Sequence, residues 1–160
     1  MAANVFEPTW TDRDDPGLAG RTARVGAQAG AERLGATVYE IAPGSAGSPL
    51  HAHHANEELI IVLDGQPVLR TEIGHRRLAA GEVVACPVGR PGAHQLINDS
   101  DEPLRVLVVS TMVYPEVVEM LDSDKILAQS APPGVADRIA LAFPRAAQVD
   151  RLAGEPARDA

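Results

Sequence analysis

Cysteine is almost missing from this chain: Cys86 is the only one in 160 residues. That excludes an internal disulfide and suits a reducing compartment. Aromatic residues make up 3% of the sequence, too few for a platform on which nucleic-acid bases stack. Positive charge is scarce too, with 14 Lys and Arg against 22 Asp and Glu and a net charge of −8. An acidic surface repels phosphate backbones and anionic lipid, so neither nucleic acid nor membrane is an expected partner. Long apolar runs are absent. The longest, such as LIIVL at 59–63, fall far short of a membrane span. The opening MAANVFEPTW shows no basic segment followed by an apolar one, so a cytoplasmic location is expected. Also missing are a phosphate-cradling glycine loop, a serine nucleophile elbow, zinc-ribbon cysteines, internal repeats and a recognisable DNA-binding helix pair.

What remains is a soluble composition, 45% hydrophobic and 22% charged, on a chain long enough for one domain. A domain of this size buries about 70% of its unfolded surface and needs no staple. Charges, proline and glycines in TDRDDPGLAG set residues 1–20 apart as an N-terminal arm. From Arg21 onward short β-prone runs alternate with turn signals. ERLGATVYEIAPG reads as a strand, and ELIIVL as another that stops at Asp64-Gly65. PVLRTEIGHRRLAAG reads as a hairpin turning near Gly74, and EVVACPVG as a strand ended by Pro87. AHQLIN and LRVLVVSTMV follow, separated by the turn cluster NDSDEP. Such spacing predicts an all-β sandwich or barrel over residues 21–130. PEVVEMLDSDKILAQS can hold a helical turn and a further strand, and VADRIALAFP either a strand or a short helix. Residues 131–160 are expected to be a helical or irregular C-terminal extension, partly flexible, with the last dozen frayed.

Three of the five histidines fall in HAHHANEE, residues 51–58. His51 and His53 are two apart, so in a strand both imidazoles share one face about 7 Å apart. HAN can hold a turn, which resets the register and lets Glu58 point back at the same ion. Two imidazoles and a carboxylate start a borderline metal site, open to Fe, Mn, Co, Ni, Cu or Zn. His94, which opens AHQLIN, is the candidate fourth ligand, since a barrel brings distant strands side by side. The bland reading of HAHH is a solvated loop. Alternation turns His54 to the surface or behind the site, and makes Glu57 the fallback carboxylate if the register slips by one. His75 reads as an exposed residue of a solvated strand, and Cys86 as a small core residue.

The stretch from Gly44 to Asn98 resembles the cupin superfamily. Its first motif runs from a glycine to HxH, a glutamate and a second glycine. Here His51, His53, Glu58 and Gly65 fit, while the initial glycine is loose, with Ser45 in its place between Gly44 and Gly47. The second motif fits Gly81, Pro87, Gly89, His94 and Asn98, except that four residues separate Gly89 from His94 instead of two. The sequence from Leu96 to Ile126 is similar to a group of bacterial single-domain cupins, a likeness that names no substrate.

The resemblance implies a jelly-roll barrel holding one divalent transition metal on His51, His53, Glu58 and His94. It also implies a homodimer, for which the strand Leu104 to Val113 and the N-terminal segment are candidate contact faces. Open coordination positions favour a metal-dependent enzyme on a small organic substrate, with oxygenase chemistry ahead of isomerase or lyase chemistry. The alternative is a metal- or ligand-binding module without turnover. No general acid or base stands out. Tyr39 is a possible cavity residue or an ordinary strand aromatic. Arg90 and Gln95 read as solvated neighbours of His94, and Asn98 as a turn cap.

Overall fold

A computed structural model describes residues 1–133 and 135–155. The chain opens with β1 (Thr11–Arg13), β2 (Gly20–Ala23) and a short helix, α1 (Val25–Ala29). Then come β3 (Gly35–Ile41), β4 (His51–His53), β5 (Glu58–Asp64), β6 (Val68–Thr71) and β7 (Gly74–Arg77). β8 (Val83–Cys86), β9 (Gln95–Ile97) and β10 (Leu104–Ser110) follow, and β11 (Glu116–Met120), β12 (Lys125–Gln129) and β13 (Ala140–Pro144) close the series. The expected all-β jelly roll is what forms. One six-stranded sheet has the order β1-β2-β3-β10-β5-β8. It faces a four-stranded sheet, β13-β12-β11-β4, and a three-stranded one, β7-β6-β9. The two smaller sheets are joined where His51 bridges His94.

Strand alternation decides what each face buries. In the β10–β3 and β10–β5 registers, Tyr39, Val106 and Val62 stand in one row, and Val38, Leu107 and Ile61 in the next. The first row faces inward. There Ile41, Ile60, Val62, Leu104 and Val106 are essentially fully buried and pack with Leu69, Leu78, Cys86 and Leu96. Each such side chain contributes about 1.5–3 kcal/mol on leaving water. Gly65 turns the chain after β5 at φ +81, and a Cβ there would lie 2.6 Å from that of Leu104. Glycine alone suits both demands.

The second row faces away from the interior and is covered by the N-terminal segment. Val38 packs with Ala23 and Val25, with Val5, Trp10, Leu63 and Leu107 around them. Arg21 and Arg105 lie over the Trp10 ring, at 4.6 and 5.5 Å from its centroid, and share the Glu40 carboxylate at 2.6 and 2.7 Å. The segment read as an arm thus carries β1 at a sheet edge and a satellite core. β10, within the strand expected as a contact face, is paired on both edges, with β3 and with β5.

The C-terminal third departs from the sequence expectation in two respects: the extension expected to be helical or irregular contains the strand β13, paired with β12, and β11 stands where a helical turn was expected. PEVVEM forms β11 and no helical turn, because Val117 and Val118 favour a strand and both β4 and β12 are there to pair with it. Of the helix-or-strand alternatives for VADRIALAFP, the strand is realised as β13, followed by a short 3-10 turn at Arg145–Ala147. The expected fraying falls partly on residues 156–160, which lie outside the described residues. No helix among the described residues is long and apolar enough to cross a membrane.

Candidate metal centre

Two of the candidate ligands are fixed by a backbone contact between strands distant in sequence. His51 N donates to His94 O at 3.2 Å, and His94 N donates to His51 O at 3.0 Å. Residues opposite each other in such an antiparallel pair project to the same side. Their rings stand 4.5 Å apart between centroids. His53, two residues along β4, shares that face, with its ring 4.9 Å from that of His51. Glu58 reaches in from the opposing sheet, as the first residue of β5. Its Oε2 lies 3.3 Å from His94 Nε2 and 3.7 Å from His53 Nε2. Donor atoms of His51, His53 and Glu58 all fall within 4.8 Å of one another, so this cluster could hold a metal ion.

The other nitrogen of each ring is occupied. His51 Nδ1 lies 2.9 Å from Pro49 O, and His94 Nδ1 lies 2.9 Å from Gly92 O. A carbonyl only accepts, so both nitrogens must be the N–H donors. His53 Nδ1 donates to Glu116 Oε2 at 3.2 Å. In its neutral form each of the three imidazoles is thereby held in the tautomer whose Nε2 carries the free electron pair, the arrangement that metal-binding histidines require. Glu116 is 3% exposed and itself well anchored. Its Oε1 accepts from His54 N at 3.1 Å and Ala55 N at 3.0 Å, and its Oε2 accepts from Asn56 Nδ2. This second carboxylate was not foreseen from the sequence. The available signal was an acid two residues before Val118, on the same row of the strand as Val118 and Met120.

Charge in the cluster is finely divided. Burial, then repulsion from the neighbouring imidazoles, pushes His51 down to about 4. Burial works the same way on His94, but hydrogen bonds to Cys86 and Glu58 outweigh it and carry His94 up to about 10. Burial raises Glu58, and the three imidazoles, His94 foremost, more than reverse it. A buried carboxylate and a neighbouring imidazole therefore share a proton. A divalent ion would supply that positive charge instead, and the two nitrogens and one carboxylate of His51, His53 and Glu58 suit a borderline transition metal, with His94 beside them. The residues fit such an ion.

The two extra residues before His94 fold as a 3-10 turn, Arg90–Gly92. A Cβ on Gly92 would lie 1.8 Å from Pro87 O, so glycine lets the longer loop pack flat and return His94 to its place. Arg90 is no idle neighbour: its Nε donates to Glu119 Oε2 at 3.1 Å, tying the turn to β11. His54 lies behind the site with Nε2 3.2 Å from the same oxygen. Arg145 completes this cluster, and despite burial its three partners hold Glu119 down at about 2. Glu57 and His75 are exposed, and Cys86 belongs to the core. Gln95 accepts from Arg70 at 3.0 Å and donates to Ser48 O at 3.0 Å. Asn98 is fully buried, capping the next turn by accepting from Ser100 N at 3.1 Å and tying Ile41 O and Glu102 O together.

The cluster lines a cavity of about 560 Å³ that Tyr39 also faces, within the size range of small-molecule sites. No curated protein matches the sequence. Among solved structures, a cupin-superfamily sugar phosphate isomerase from Silicibacter pomeroyi superposes with a TM-score of 0.78 at 23% identity, over 92% of this chain and 94% of that one. A proposed sugar phosphate isomerase from Acidithiobacillus ferrooxidans gives 0.69 at 28% identity, over 79% and 78%. The polyketide cyclase RemF from Streptomyces resistomycificus gives 0.50 at 25% identity, over 69% and 72%. Residues 37–110, the span from β3 to β10 that holds all four clustered side chains, match the family model of the cupin domain, and the Silicibacter pomeroyi structure shares the fold of nearly the whole chain.

Proposed function

We propose that this protein is a metal-dependent enzyme of the isomerase type, acting on a small hydroxylated carbonyl compound of the sugar phosphate class. The observation that carries the reading is the pinning of all three Nδ1 atoms, which leaves Nε2 of each ring as the nitrogen available to an ion, in the cavity that Glu58 also lines. His51, His53, Glu58 and His94 would hold the ion. A divalent cation there supplies Lewis acidity that polarises a carbonyl. The side chains do the rest. Glu116 keeps His53 oriented, and Val106, Val108 and Leu96 give the cavity a dry wall. Burial, and then the Glu58 charge, pushes the Tyr39 phenol up, so it stays neutral near pH 7 and can donate a hydrogen bond or proton to a substrate oxygen.

The open-sided donor set alone favoured oxygenase chemistry. Likeness to the Acidithiobacillus ferrooxidans protein, at 28% identity over 79% of this chain, supports isomerisation instead. Isomerisation needs only a proton moved between neighbouring carbons and a carbonyl held in place. The test is solvent deuterium exchange, followed by NMR, into a panel of aldose and ketose phosphates with protein reloaded anaerobically with Fe(II), Mn(II), Co(II) or Zn(II). Metal-dependent exchange beside the carbonyl, without oxygen uptake, is the expected result. Oxygen consumption would point to the oxygenase, and ligand binding without exchange to a non-catalytic sensor.

A further inference from the structure

The cavity extends past the imidazoles to a rim where Arg24, at the start of α1, lines it. Among the described residues Arg24 is the only Lys or Arg on this lining. Its guanidinium also has no hydrogen-bond or ion-pair partner among the described residues. Most arginines of this acidic chain do: Arg21, Arg70, Arg76, Arg77, Arg90, Arg105 and Arg145 each sit in an ion pair. The chain has two tyrosines, and both Tyr39 and Tyr114 line the same cavity. Neither hydroxyl has a hydrogen-bond partner among the described residues. The Arg24 charge acts on both phenols, while burial first, and Glu58 or Glu116 next, raises them; each is a neutral donor. Of the carboxylates on the lining, Glu58 is engaged by imidazoles and Glu116 by His53 and two backbone N–H groups. Glu32 shares the rim but forms no ion pair with Arg24 among the described residues.

An unpaired guanidinium and two open hydroxyls on one cavity lining are a set of donors without an acceptor. Guanidinium geometry matches phosphate and carboxylate oxygens in a two-point contact. We propose that Arg24, with the Tyr39 and Tyr114 hydroxyls, holds the anionic end of the substrate, a phosphate monoester or a carboxylate, and so turns its other end toward the imidazole cluster. The identity of the bound compound rests on the isomerase reading; the anion site itself does not.

Calorimetric titration with glucose, glucose 6-phosphate and glucuronate, which differ at one carbon, tests this on wild type, Arg24→Gln, Arg24→Lys and Tyr114→Phe. Each protein is titrated metal-free and loaded with Mn(II). Wild type should bind one of the two charged sugars at least tenfold more tightly than glucose in both states, and the preferred one tells phosphate from carboxylate. Arg24→Gln should bring that ratio to within twofold of unity, with Arg24→Lys keeping part of it and Tyr114→Phe losing a smaller share. Bound metal, by elemental analysis, should be unchanged in all three variants. No preference in wild type, or the same preference in Arg24→Gln, overturns the proposal. A preference that depends on Arg24 in a protein that exchanges no substrate proton with any metal would keep the anion site and remove the isomerase reading.

Discussion

In the His51→Ala, His53→Ala double variant, bound transition metal falls to background while the jelly roll stays folded. A residue that merely supports a ligand is worth about 10–100-fold in metal affinity. Two ligands lost together should therefore cost at least about 10²–10⁴-fold on the same scale. The fold does not depend on either ring. The link between β4 and the neighbouring sheet runs through backbone atoms of His51 and His94, which alanine retains. The rings face a cavity, so their removal enlarges existing space and leaves the apolar cluster around Ile60 and Val106 intact. Metal-free variant and metal-free wild type should differ by no more than about 1–2 kcal/mol, within the range of ordinary substitutions. Elemental analysis after dialysis and thermal melts of both apo forms check the two halves. The apo comparison matters because a bound ion adds its own stabilisation by mass action. Melting of the apo variant far below apo wild type would show that the histidines are structural.

Glu116→Ala is the second large effect, and it strikes fold and site together. Its carboxylate serves the backbone N–H groups of His54 and Ala55 as well as the His53 ring. Alanine leaves these buried donors without an acceptor, at about 1–3 kcal/mol for each one that water cannot reach. The β4–β5 connection should loosen, and metal affinity should drop about 10–100-fold as the His53 tautomer is released. Glu116→Gln separates the two effects. Its amide oxygen can still serve the backbone donors, but its NH₂ faces His53 Nδ1–H or Asn56 Nδ2, donor against donor. Stability should therefore recover more than metal affinity does. Titration with a competing chelator, beside denaturant unfolding, reads both quantities. Unchanged metal affinity in both variants would remove Glu116 from the site.

The contrast between His94 and Glu116 explains what the sequence could reveal. HxH, Glu58, the glycines and His94 sit at the ends of short strands, where local spacing fixes the facing of each side chain. Alternation and turn chemistry therefore bring out strands β3 to β10 and the four clustered residues. The Gly92 turn that absorbs the longer second motif depends on contact with Pro87, although Pro91-Gly92 is itself a pair suited to a tight turn. Glu116 is different. It meets His53 across 63 positions, through a β4–β11 pairing that no local pattern encodes. Tertiary pairing likewise decided β11 and β13, where apolar runs are compatible with helix or strand. The N-terminal arm is similar: TDR is too short to alternate, and its partner β2 and the Trp10 cluster make it a strand. Arg24 lies outside both motifs, and its isolation from carboxylates becomes visible only in three dimensions.

The most direct measurement is anomalous diffraction from a crystal of the protein loaded with Mn(II), Co(II) or Zn(II), recorded on both sides of the metal edge. One peak bounded by the Nε2 atoms of His51, His53 and His94 and a Glu58 oxygen is the predicted result. Imidazoles turned away from one another, with the metal signal confined to surface carboxylates, would contradict the account at its root.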